Sequence, residues 1–111
     1  MEAYRKDPAM KWTMKRHPLA LLQSGPRTDQ PGDKAQAIQL DHVRYIRRLM
    51  DERKLLTAGP FTDGGELRGV FVFNTESADE ARAWAAADPT VQAGRLVVEI
   101  HPWLVAAEVW P

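Results

Sequence analysis

The spacing of hydrophobic residues changes repeatedly along this chain of 111 residues, and the order of those changes constrains the fold most. Residues 36–54 show the three- and four-residue spacing of an amphipathic helix, at Leu40, Val43, Ile46, Leu49 and Met50. Strands are predicted within 12–23 and at 55–61, 67–74 and 94–103, and a second helix at 77–88. The predicted order of elements is therefore β-α-β-β-α-β.

That order predicts an α+β protein with the ferredoxin-like βαββαβ arrangement, an antiparallel sheet with both helices on one face. The strand at 67–74, "LRGVFVFN", is almost continuously apolar, which predicts that both of its faces are covered. Two helices on one face leave the other face of the sheet bare. We therefore expect a homodimer whose sheets face each other.

The domain boundaries follow from polarity. Residues 1–11 are predicted to form a polar N-terminal arm, and 12–111 a single domain. The segment 24–35 is dense in Gly, Pro, Asp and Ser, which predicts a loop long enough to act as a flap. Residues 104–110 are expected to add an edge strand or a tail that spans the dimer.

Composition excludes several classes of function. Lys plus Arg and Asp plus Glu both number 15, so the chain lacks the positive excess that nucleic-acid binding needs. The absence of cysteine excludes disulfides, thiolate nucleophiles and cysteine-based metal sites. No apolar run approaches the ~20 residues that span a bilayer, and the charged start is not a secretory signal. We expect a soluble cytoplasmic protein with no membrane or nucleic-acid partner.

Asp88 is the first polar residue that does not fit its surroundings. In "AAADPTVQAG" it lies at the end of a predicted helix, where the helix dipole disfavours an acid. It shares a helix face with Ala81, Trp84 and Ala85, so the carboxylate is aimed at the core or a cleft and needs a partner. The simpler alternative is a turn in which Asp88 bonds nearby backbone amides.

His42 raises a similar question, since it borders the apolar stripe of the first helix. It is either a partly buried residue with a satisfied nitrogen or a general acid or base. The two helices pack side by side in this topology, so His42 can approach the end of the second helix. An aspartate that orients a catalytic imidazole is a recurring arrangement.

Three segments within 41–103 carry a family resemblance: "DHVRYIRRLMDERKLLTAGPF", "GVFVF" and "SADEARAWAAADPTVQAGRLVVEIHPW". Together they resemble the YCII-related (YciI-like) family of the dimeric α+β barrel superfamily. The resemblance implies that barrel fold and a histidine–aspartate pair in a cleft, which by position are His42 and Asp88. One activity known within the family is the removal of chloride from a chlorinated hydroxyquinol.

The chain departs from the family pattern in two ways. Thr90 stands where the family often has an aromatic residue after Asp-Pro, which puts an aromatic pocket wall in doubt. The polar arm before the first strand is also longer, so the cleft is expected to be covered differently.

Other residues are weaker candidates for a functional role. Gly59 and Pro60 in "AGPF" are predicted to line the substrate cleft, although a strand end before a hairpin explains them equally well. Glu99 and His101 share a strand face, where a solvated surface is favoured over a metal or acid–base pair. The histidines show no metal-binding spacing, so we expect neither a metal nor a cofactor.

Two functions stay open on this evidence. The first is a cofactor-independent lyase or isomerase acting on a small organic molecule, with His42 as general acid or base and Asp88 orienting it. The second is a non-enzymatic homodimer of the same fold that binds a small ligand or has a regulatory role.

Overall fold

The computed structural model describes residues 13–107 and shows the α+β class predicted from the sequence. Its elements are β1 (Met14–Arg16), β2 (Leu19–Ser24), α1 (Gly32–Asp51), β3 (Leu55–Pro60), β4 (Leu67–Phe73), α2 (Ala78–Ala86), the single turn α3 (Pro89–Gln92), β5 (Leu96–His101) and β6 (Leu104–Ala106). The predicted polar arm, residues 1–11, lies outside the described residues. From β2 to β5, apart from α3, the order is the predicted βαββαβ.

The main sheet has the strand order β3-β4-β2-β5, and all of its neighbours run antiparallel. In the centre, Leu21 of β2 pairs with Val70 of β4 on one side and Glu99 of β5 on the other. The segment predicted at 104–110 does not extend this sheet. Its described part, β6, pairs with β1 in a separate two-stranded sheet.

The core lies between the helices and one face of the main sheet. Phe71 and Phe73 of β4 are buried and meet edge to face, with ring centroids 5.8 Å apart. The small side chains of Ala81 and Ala85 on α2 are also fully buried, which lets the helix approach the sheet closely. Burying each large apolar side chain contributes roughly 1.5–3 kcal/mol.

β4 is covered on both faces only in its second half. Phe71, Val72 and Phe73 are buried, as the apolar run predicts. Leu67 and Arg68 at the start of the strand are exposed, so the prediction is wrong there. At this end of the sheet a cavity separates the start of β4 from α1.

The apolar stripe of α1 enters the core only in part. Leu49 is buried, but Leu40, Val43 and Met50 keep 50%, 52% and 52% of their surface exposed. Tyr45, which the spacing argument left out, is buried because its hydroxyl donates to the Trp84 carbonyl at 2.6 Å. The helix therefore packs through a narrower face than the periodicity predicts.

α1 begins at Gly32 rather than 36 and ends at Asp51 rather than 54. Its first turn is polar and gives no apolar signal, although Asp33 suits the positive end of the helix dipole. At the other end, Arg53 takes a left-handed φ of 58°. The Lys54 amide donates to the Leu49 carbonyl at 2.9 Å, and the Arg53 amide bonds to Met50. This is a Schellman motif, which terminates the helix.

No helix within residues 13–107 is long and apolar enough to cross a membrane.

The left-handed residue gives a stability prediction. Arg53→Gly is expected to stabilise the fold by up to about 1 kcal/mol, because glycine adopts this conformation without the steric cost of a side chain. The gain is reduced by the greater entropy of glycine in the unfolded chain. Arg44→Gly is the matched control, since glycine inside the same helix costs about 1 kcal/mol. Urea denaturation measures both, and a less stable Arg53→Gly variant would contradict the assignment.

Candidate functional site

Asp88 begins a new turn instead of ending a helix. α2 stops at Ala86, and Asp88 is the N-cap of α3, with Pro89 at the first position of that turn. Its Oδ1 accepts hydrogen bonds from the Thr90 amide at 2.9 Å and the Thr90 hydroxyl at 2.7 Å. The helix predicted at 77–88 is therefore too long, because proline at this position favours a fresh helix start. The expected bond from Asp88 to a nearby backbone amide is present.

The same carboxylate contacts His42, which lies 46 residues away in sequence. His42 Nδ1 lies 2.7 Å from Oδ2 and 2.9 Å from Oδ1 of Asp88. The Asp88 side chain is 0% exposed, and that of His42 is 13% exposed. An ionised carboxylate only accepts hydrogen bonds, so Nδ1 carries the proton of this bond. Nε2 is then the ring nitrogen available to a molecule beside it.

Neighbouring side chains fix the position of the imidazole. The His42 ring stacks on Phe71, with centroids 6.2 Å apart and planes inclined by 27°. One turn along α1, the Tyr45 hydroxyl ties this helix to the Trp84 carbonyl of α2. Burial raises the pKa of Tyr45, and the nearby Asp88 charge raises it further, against an opposing effect of Arg48. The phenol therefore keeps the proton that it donates.

His42 lies in the wall of a cavity of about 610 Å³, and the buried Asp88 is not part of the lining. The cavity lies under the middle of α1, at the end of the sheet where β2 and β3 finish and β4 and β5 begin. Its walls are Leu22, Ser24, Thr28, Gln39, His42, Val43, Ile46, Ala58, Gly59, Pro60, Arg68, Gly69, Phe71, Thr90, Arg95 and Leu96. Gly59 and Pro60 are thus in the lining and also at the end of β3; their part in substrate binding stays a prediction.

The loop predicted at 24–35 spans only 25–31. Backbone hydrogen bonds hold it against the two residues that precede β5. The Gly25 amide donates to the Arg95 carbonyl at 2.8 Å, and the Arg27 amide to the Gly94 carbonyl at 2.9 Å. A Cβ at Gly25 would collide with the Gly94 carbonyl oxygen. Gly94 has a φ of 77°, and the Arg27 side chain lies over it. This close packing needs glycine at both positions.

Glu99 and His101 lie outside the cavity, on the sheet face that carries no helix. Their side chains are about half exposed, and His101 Nε2 is 3.2 Å from Glu99 Oε1. Gln23 also donates to Glu99, at 3.1 Å. Within a single chain, this exposure agrees with the solvated surface favoured from the sequence. Among residues 13–107, no group of three His, Asp or Glu side chains could hold a metal ion.

The sequence argument missed three polar residues around the cavity. Thr90 was noted only as a departure from an aromatic, yet it is buried and donates to Asp88. The Asp-Pro pair is a sequence signal for such a capped turn. Arg95 and Gln30 bond to each other across 65 residues, and no local pattern indicates that contact.

Comparisons with known proteins agree with this architecture. Residues 13–104 match the family model described as the YCII-related domain. The uncharacterized protein YjpA of Bacillus subtilis strain 168 is 34% identical over 62 residues, which cover 56% of this chain and 71% of YjpA. An uncharacterized protein of Haemophilus influenzae Rd is 31% identical over 70 residues, with the same coverage of each chain.

A solved structure has a similar fold. It is the 5-chloro-2-hydroxyhydroquinone dehydrochlorinase TftG from Burkholderia phenoliruptrix AC1100, in complex with 2,5-dihydroxybenzoquinone. The match has a TM-score of 0.53 and 21% identity, and it covers 78% of this chain and 92% of TftG. At that identity the likeness concerns the fold.

The Thr90 hydroxyl gives a prediction for the site. Thr90→Val keeps the shape but removes the donor to the buried carboxylate, and is expected to cost about 1.5–3 kcal/mol of unfolding free energy. Thr90→Ser keeps the hydroxyl and loses one methyl group, at a cost of about 1 kcal/mol. Denaturant unfolding compares them, and a valine variant as stable as the serine variant would contradict the role of this hydrogen bond.

Proposed function

The chain belongs to the YCII-related family, as the resemblance in residues 41–103 predicts, and from that membership we propose that it is a small cofactor-independent enzyme. His42 acts as the general acid or base, and Asp88 orients its ring. One observation carries the proposal: a fully buried carboxylate bonds to Nδ1 of an imidazole at the wall of a cavity. This arrangement leaves Nε2 for the substrate.

The reaction class is proton abstraction followed by elimination or isomerisation. His42 Nε2 takes a proton from a substrate carbon, and the electron pair of that C–H bond forms a double bond. In an elimination the leaving group departs from the adjacent carbon with its electron pair. In an isomerisation the proton returns at another carbon. Asp88 stabilises the imidazolium formed in between, and such acid–base catalysis contributes about 10²–10⁴ in rate.

The walls of the cavity suit a small organic substrate. Val43, Ile46 and Leu96 present apolar surface, and the volume lies within the usual range for small-ligand sites. Gly59 and Pro60 line the side formed by the end of β3, where glycine lets a ligand approach the backbone. The name of TftG describes the loss of chloride, which is an elimination. The shared fold supports that class of reaction and does not extend to the substrate.

Solvent deuterium exchange tests the catalytic role without a known substrate. A panel of small phenolic and carbonyl compounds with acidic C–H bonds is incubated with the protein in D₂O and followed by proton NMR. His42→Gln is expected to lower the exchange rate at least about 100-fold. His101→Gln is the matched control, because it changes a histidine outside the cavity. Exchange that survives His42→Gln unchanged would contradict the proposal.

The second candidate is a non-enzymatic dimer that binds a small ligand or has a regulatory role. It is favoured by the hydrogen bonds from Thr90 to Asp88, because they give the carboxylate a structural role that does not depend on catalysis. A large drop in melting temperature in Asp88→Asn, with no exchange by any compound that binds, would support this candidate.

We also propose that the protein is a homodimer whose sheets face each other. The main-sheet face without helices carries Leu19, Leu21, Val70 and Val97, and 41% of the Val97 surface is exposed. A second copy would cover this apolar surface, as the superfamily resemblance implies. The cytoplasmic location stays a prediction from the sequence.

Light scattering after size-exclusion chromatography tests the dimer. Val97→Lys places a charge on the proposed interface and is expected to give a monomer, because an unpaired buried charge is costly. Leu40→Lys is the matched control, since Leu40 is 50% exposed on α1 and is not part of the sheet. A monomeric wild type, or a dimer unaffected by Val97→Lys, would contradict the proposal.

A further inference from the structure

The charged side chains that line the cavity are all basic. Arg68 lies at its exposed rim, Arg95 is half-buried in its wall, and His42 is the remaining titratable residue. Within the part of the chain that the structure describes, no carboxylate is among the lining residues. Asp88 lies behind the imidazole, and its carboxylate oxygens are hydrogen-bonded to His42 and Thr90. The cavity therefore offers positive charge with no acidic group facing it.

The partner of Arg95 differs from those of the arginines that form ion pairs. Among residues 13–107, Arg44, Arg47 and Arg82 each pair with an exposed aspartate three or four residues away. Arg95 forms no ion pair with a described carboxylate. It donates from Nη1 to the side-chain oxygen of Gln30 at 2.7 Å.

Gln30 is itself held in place. Its amide nitrogen donates to the Ala93 carbonyl at 3.2 Å, and its loop is fastened to β5 through Gly25 and Arg27. A neutral amide orients the guanidinium without cancelling its charge. Among residues 13–107, the guanidinium of Arg95 has no other side-chain hydrogen bond or ion pair, and the residue lines the cavity.

We propose that the cavity selects a small aromatic carboxylic acid and that Arg95, positioned by Gln30, binds its carboxylate. This inference rests on the proposed function, since it assigns the substrate class of the same site. A guanidinium binds a carboxylate through two parallel hydrogen bonds. Arg68 at the rim adds a positive field that attracts an anion.

The rest of the wall fits the remainder of such a molecule. Val43, Ile46 and Leu96 form apolar surface against which a flat ring can pack. With the carboxylate on Arg95, the ring lies against the rest of the lining, which includes His42. The ligand is thus charged at one end and apolar in its body.

The test compares two molecules of nearly the same shape, 2-hydroxybenzoate and its neutral amide 2-hydroxybenzamide. Their binding is measured by chemical-shift titration of the protein amides and the His42 ring. The wild type is expected to bind the acid at least about tenfold more tightly than the amide. Arg95→Gln is expected to remove that preference, and Gln30→Ala to reduce it. Arg82→Gln, on the exposed side of α2, is the matched control and should retain it.

Three results would overturn the proposal. They are equal binding of acid and amide by the wild type, an unchanged preference in a folded Arg95→Gln variant, and no binding of the acid at millimolar concentration. The wild-type comparison needs no variant to fold. His42→Gln is expected to keep the preference, so the outcome is separable from catalysis. A preference for the acid without deuterium exchange supports this inference and the non-enzymatic function together.

Discussion

The buried Asp88 carboxylate is the interaction on which the site depends. A charge removed from water costs several kcal/mol unless it is paired and hydrogen-bonded. Here its partners come from two separate parts of the chain: Thr90 on the turn α3 and His42 on α1. The contact therefore fixes the position of α1 relative to the connection between α2 and β5. The same contact determines the position of α1 over the cavity and the orientation of the His42 ring.

Two proposed roles, proton transfer and anion binding, belong to different residues of the cavity wall. His42 lies on the helix, backed by an acid that it shares with Thr90. Arg95 lies at the start of β5, held by Gln30 from the fastened loop. The close packing of Gly25 on Gly94 brings that loop against the strand. Proton transfer and anion binding thus depend on different side chains, so variants can separate them.

Much of the fold could be predicted because periodicity is a local signal. The strands at β3 and β4 end within one residue of their predicted limits, and the order of elements gives the sheet and the side of the helices. Helix ends were less predictable. The first turn of α1 is polar, and its end depends on a left-handed arginine where glycine is usual. The sequence pattern predicts Asp88 as the last residue of the second helix, whereas Pro89 makes it the N-cap of α3.

The site was predictable only in part. The contact between His42 and Asp88 joins residues 46 positions apart, and periodicity shows only that each borders an apolar face. The topology allows His42 to approach the end of the second helix, and the family resemblance implies that the two residues pair. The contact between Gln30 and Arg95 had no such support, because a loop glutamine and the arginine before a strand belong to no motif. Contacts of this kind depend on the packing of the loop, which the sequence pattern does not specify.

The most direct measurement is the protonation of the two ring nitrogens of His42, by nitrogen-15 NMR, in the wild type and in Asp88→Asn. We predict that Nδ1 carries a proton in the wild type. In the variant, the amide oxygen retains the two bonds from Thr90, so the amide NH₂ faces Nδ1 and the neutral ring must carry its proton on Nε2. A ring whose Nδ1 lacks a proton in the wild type, or a proton position that is the same in both proteins, would contradict the account.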